Sequence, residues 1–120
     1  MNLPNLATLI TTVESSIEAV TFDMDNFLHP CGSPACIIGH AAALENGGPL
    51  SWPHLTVLKK AASYLGITLP EAKEIGVGWI GDADNEVYHV SSERAIEYLK
   101  ATQEAERVIP WAEFLGEYRP

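Results

Sequence analysis

The sequence predicts an all-α fold: a single compact domain over residues 1–120, built from five or six short helices, with a small hairpin or ordered loop around residues 77–90. Three observations predict it. Apolar residues recur at alternating spacings of three and four, the period of a helix with one buried face. Helix starts are marked by a capping hydroxyl and a proline. Glycines stop the same segments a few turns later.

Residues 3–20 open the chain with Leu3, Leu6, Ile10, Val13, Ile17 and Val20 on one stripe. Thr11, Thr12, Glu14, Ser15 and Glu18 fall on the wet side. Several of these residues are β-branched, so packing rather than intrinsic propensity has to hold this helix. The segment "TFDMDNFLHPCGSP" reads as a loop. Ser33 is then the expected N-cap and Pro34 the first helical residue of a helix running to about Leu44, ended by "ENGGP". Ala35, Gly39, Ala41, Ala42 and Ala43 make that helix slim, which places it at the centre of the fold.

Ser51 and Pro53 open the next helix, with Leu55, Leu58, Ala62 and Leu65 inward and Gly66 as its stop. Thr68 and Glu71 have the spacing of a capping box, opening a short helix that carries Ala72 and Ile75. "VGWIGDADNEVYHV" has alternating character and is the hairpin or ordered loop. Ser91 or Ser92 caps a helix of about 14 residues with Ala95, Ile96 and Leu99 inward. Pro110 begins a last helical turn whose Trp111, Phe114 and Leu115 should dock on the core.

Composition narrows function by exclusion. Sixteen acidic residues against seven basic give a net charge of −9, which repels phosphates and disfavours direct nucleic-acid binding. No apolar run reaches the roughly 20 residues needed to cross a bilayer, so no membrane role is expected. The start of the chain lacks a basic stretch followed by an apolar one, and two cysteines make no disulfide framework. A cytoplasmic setting is therefore expected.

One short stretch, "LHPCGSPACIIGH", gathers both cysteines and two of the four histidines. His29, Cys31, Cys36 and His40 are residue types that zinc accepts, and Cys36 and His40 stand one helical turn apart. The spacing H-x-C-x4-C-x3-H matches no standard zinc finger. A thiol enzyme would place Cys36 in the first turn of its helix, activated by the macrodipole, with a histidine as base and Asp23 or Asp25 orienting it. Its neighbours Ala35, Ile37 and Ile38 point instead to burial, and a buried cysteine packs like a small apolar residue. "AASYLGITLPEAKEI" has the outline of a helix-turn-helix, but its second helix would offer Glu71, Lys73 and Glu74 to DNA. An ordinary helical corner fits better. "DADNEVYHVSSE" has acidic residues at several calcium-loop positions, yet Val87 stands where that loop requires glycine.

Three pieces taken together resemble a family of small uncharacterised bacterial and phage proteins. They are "FDM" followed by "CGSPACIIGHA", then "AASYLGITLPEAKEI", and "SSERAIEYL" with a tryptophan near the C-terminus. The most specific part is Cys-Gly-x-x-x-Cys-Ile-x-Gly-His-Ala, which falls on Cys31, Gly32, Cys36, Ile37, Gly39, His40 and Ala41. The resemblance implies an all-helical domain and supplies no reaction.

The acidic residues supply the leading functional expectation: a non-enzymatic protein–protein interaction module. Glu14 and Glu18 lie one turn apart, Asp23 and Asp25 follow, and Asp82, Asp84 and Glu86 cluster. Further glutamates, among them Glu93 and Glu97, mark the C-terminal third. With the aromatics Trp52, Trp79 and Tyr88 as anchors, such a surface can occupy a basic groove that otherwise takes nucleic acid. The phage side of the resemblance makes an inhibitor of a host defence complex, anti-CRISPR in style, the sharpest form of this expectation. The competing expectation is a zinc-binding or thiol-dependent protein built on His29, Cys31, Cys36 and His40.

Overall fold

A helix that is small and apolar on every side has to be surrounded, and that requirement organises this chain. The structure, a computed structural model, describes residues 1–22, 34–48, 54–76, 79–81, 87–89 and 91–116. Among the described residues, six helices run in the order α1 (Leu3–Glu18), α2 (Ile37–Asn46), α3 (His54–Leu65), α4 (Leu69–Ile75), α5 (Ser92–Ala105) and α6 (Trp111–Gly116). Between α4 and α5, β1 (Trp79–Gly81) and β2 (Val87–His89) form an antiparallel pair with Trp79 opposite His89 and Gly81 opposite Val87. The all-α reading holds, with the hairpin where the alternation placed it.

Every residue of α2 from Ile37 to Ala42 is buried. α2 lies against α1, α3 and α4, and α5 packs on the far side of α1. Leu6, Leu9 and Val13 of α1, Val57, Ala61 and Leu65 of α3, and Ala72 and Ile75 of α4 complete one apolar cluster around it. Small side chains on α2 let these neighbours approach closely. A larger residue at Ala41 or Ala42 would overpack the centre, typically at about 1–3 kcal/mol.

The local signals place the helices to within a few residues, and the departures have physical causes. α1 stops at Glu18, and Val20 takes a left-handed φ of +59° and is 90% exposed, so it leaves the apolar stripe. The buried face of α1 is centred on Leu6, Leu9, Ile10 and Val13, with Leu3 and Ile17 at its edges. Thr8, Thr11 and Thr12 donate their hydroxyls to carbonyls four residues back, so each is satisfied within the helix that packing holds together. In α3, Val57 and Ala61 take the inward positions while Leu55 is 47% exposed. α2 begins at Ile37, three residues later than the Ser33–Pro34 start predicted. Its N-cap is Cys36, whose extended backbone and sulfur replace the expected serine, and Ser33 lies outside the described residues. Thr68 and Glu71 form the reciprocal capping box, and Ser91 caps α5 through the Arg94 N–H at 3.1 Å.

Two clasps close the molecule. Near the N-terminus, the Asn2 N–H donates to the Leu65 carbonyl at 2.7 Å and the Asn5 amide to the Tyr64 carbonyl at 2.7 Å. Gly66 sits under this contact with φ +64°, and a Cβ there would lie 3.2 Å from the Asn2 nitrogen. Near the C-terminus, Trp111 stacks on Tyr98 with ring centroids 3.9 Å apart, and Phe114 meets both rings edge-on. Glu74 Oε1 accepts from the Trp111 backbone N–H at 2.6 Å, Trp111 Nε1 donates to the Ile75 carbonyl, and the Tyr98 hydroxyl donates to the Ile109 carbonyl at 2.7 Å.

Both clasps give measurable consequences. Gly47 also has a left-handed φ, +79°, but open space around its missing Cβ. Urea unfolding should show Gly47→Ala costing about 1 kcal/mol and Gly66→Ala distinctly more, about 2 kcal/mol, because only the second adds a steric contact to the backbone strain. Equal losses would show that the Asn2 contact carries no constraint. Burial, with Glu74 adding to it, pushes the Tyr98 phenol above its ordinary range. The unfolded phenol releases its proton first, so this contribution is intact below about pH 10 and is lost as pH rises beyond it. Alkaline unfolding of Tyr98→Phe should be flatter over that range than that of the parent.

Candidate functional site

The structure gives Cys36 and His40 different surroundings. Cys36 is fully buried and belongs to the apolar cluster. Its Sγ accepts from the Gly39 N–H at 3.4 Å, and its carbonyl accepts from the His40 N–H at 2.9 Å. The thiol is therefore the cap of α2, not a residue of its first turn. Its sulfur is engaged in capping, and Ala35, Ile37 and Ile38 beside it in the chain are buried as well. His40 is 6% exposed and stacks on Phe22 with centroids 6.2 Å apart. Its ring reaches the wall of a shallow cleft of ≈ 440 Å³ with Thr12, Pro34, Ala43, Leu44, Gly47 and Gly48. Cys36 thus serves the core, and His40 stands between core and surface.

His29 and Cys31 lie outside the described residues, so the proposed four-residue metal set is represented by Cys36 and His40 alone. Among the described residues no group of three or more His, Cys, Asp or Glu side chains converges as a metal site. Asp23, Asp25, Trp52, Asp82, Asp84 and Glu86 also lie outside the described residues, and for Trp79 and Tyr88 the backbone register in the hairpin is what the structure describes.

The acidic residues of α1 do come together with others. α1 and α5 pack against each other, with the C-terminal half of α1 beside Glu93, Ile96 and Lys100 of α5. Between them runs a groove of ≈ 520 Å³ lined by Thr11, Glu14, Ser15, Ile17 and Glu18 from α1 and by Glu93 and Ile96 from α5. Ile17 and Ile96 are half-buried edges of the core, and the three glutamates are exposed around them. Lys100 sits 3.6 Å from Glu14, both ends about half exposed, a pair of small energetic weight. Glu18 and Glu93 have no ion-pair partner among the described residues.

Sequence reasoning singled out Glu14 and Glu18 from their one-turn spacing. It did not join them to Glu93, which counted only as part of the C-terminal acidity, and it placed Ile96 simply inward. The missing information was the α1–α5 pairing, a contact between segments about eighty residues apart in sequence that no local pattern encodes. On α4, by contrast, Glu71 is engaged in its own capping box and Glu74 in the Trp111 clasp. The α3–α4 corner spends these two carboxylates on structure.

Among the described residues, no helix is long and apolar enough to cross a membrane. No family model, curated protein or solved structure matches this chain.

The burial of Cys36 has a direct test. In a Cys31→Ser background, alkylation of the remaining thiol by iodoacetamide should follow the population of unfolded chains as urea is raised, and should be negligible in buffer. Fast labelling of the folded protein would place the thiol at an open site and revive the enzyme reading.

Proposed function

We propose that this chain is a non-enzymatic interaction module that binds a cationic protein partner, competing at that partner with nucleic acid. The observation that carries the reading is the α1–α5 groove, where Glu14, Glu18 and Glu93 gather on one face with a single lysine among them. The chain as a whole carries a net charge of −9, the same sign as the groove. Carboxylates held on a rigid helical frame offer a basic protein surface the negative charge that phosphates would otherwise supply. A partner built to hold nucleic acid is the natural match, and occupying its basic groove would inhibit it. An inhibitor of a host nucleic-acid-handling complex is the sharpest form of this reading.

Charge-led recognition predicts a steep ionic-strength dependence. A partner captured on the immobilised protein should be released as salt rises from about 0.05 to about 0.5 M, and by added double-stranded DNA at low salt. Retention that ignores both salt and DNA would overturn the reading in favour of an apolar interface.

A further inference from the structure

We infer that the α1–α5 groove seats an amphipathic segment of the partner, its apolar side chains on Ile17 and Ile96 and its lysine or arginine side chains beside Glu14, Glu18 and Glu93. The inference rests on the reading of this chain as a binder of cationic proteins and adds the form of what is bound.

Charge complementarity chooses the occupant. An anionic segment, a phosphate backbone or an anionic lipid surface is repelled by the three carboxylates. A purely apolar segment would cover the floor but strip water from those carboxylates without replacing it, which is costly. A segment that is apolar along one line and cationic on its flanks satisfies floor and rim together. Lys100 cannot serve this purpose within the chain, since it lies against Glu14 and leaves Glu18 and Glu93 unmatched among the described residues.

The end of α1 also carries local choices that stability alone does not favour. Glu14 and Glu18 are like charges at i and i+4. Glu18 stands in the last turn of α1, where the macrodipole favours a cation and no basic residue is present. Two residues on, Val20 is a β-branched side chain in a left-handed conformation, 90% exposed. Lysine at 18 and glycine at 20 would relieve all three costs. A cation bound beside Glu18 relieves the first two, so the costs fall on the free protein and shrink in the complex.

The probe is an amphipathic helical peptide of leucine and lysine, about 14 residues long, titrated into 15N-labelled protein; an all-lysine peptide of equal length is the control. Saturable shifts should centre on the amides of residues 11–18 and 93–96, and the control should bind at least roughly tenfold more weakly. Glu18→Gln/Glu93→Gln should weaken the leucine–lysine peptide by about tenfold or more while its urea midpoint stays at or above that of the parent. Equal affinity for the two peptides, shifts centred on another face, or complete displacement of the peptide by millimolar calcium would each overturn the inference. A captured partner that remains salt-sensitive in the Glu18→Gln/Glu93→Gln variant would overturn this groove assignment and leave the broader reading standing.

Discussion

The structure depends on one constraint: α2 has no wet face through Ile37–Ala42. Six consecutive buried residues cannot be served by one neighbour, so α1, α3 and α4 must enclose the helix from different sides. Alanine and glycine let those neighbours come close, so the side chains around α2 pack tightly. Cys36 answers the problem at the buried start of α2. A serine there would bring a hydroxyl proton into an apolar site, whereas the sulfur accepts from Gly39 while packing as a small apolar group. Cys36, one of the four residues whose types suit zinc, is the cap that starts a helix inside the core.

That enclosure leaves the outer residues of α1, Thr11, Glu14, Ser15 and Glu18, in solvent. The inner face of α1 is committed to α2 and α3, and α5 covers only part of what remains. The groove between α1 and α5 is the place where half-buried apolar edges and unspent carboxylates coexist. Several other glutamates are engaged: Glu71 and Glu74 cap backbone N–H groups, Glu97 pairs with Arg94, and Glu113 pairs with Arg107. The net charge is therefore distributed unequally in what it can do: Glu18 and Glu93, like Glu104 and Glu106, have no ion-pair partner among the described residues, and Glu18 and Glu93 border an apolar floor.

Much of the fold was legible because it is written locally. The Thr68–Glu71 box, the Ser91 cap and the Gly47 and Gly66 stops are signals within four residues of what they control. The helical stripes gave the right elements but imprecise faces. Leu55 and Val20 fit the period and yet face solvent, because a stripe's edge is settled by which helix packs against it. The start of α2 was misplaced because Ser-Pro is a strong local signal, and the tertiary demand for a buried cap at Cys36 overrode it. The groove was half legible: the Glu14–Glu18 pair is visible in one turn, whereas its junction with Glu93 and Ile96 exists only after α1 and α5 meet.

The C-terminal clasp has a consequence for how the chain comes into being. Tyr98 has no cover until Trp111 and Phe114 reach it, and Glu74 waits through 37 residues for the N–H it accepts. During synthesis, α1 to α4 can assemble around α2 while these groups are still unmatched. The nascent chain then exposes an aromatic ring on α5 and a carboxylate on α4 until the last helix emerges. Closing that aromatic seal is therefore an event separate from the assembly of α1 to α4 around α2.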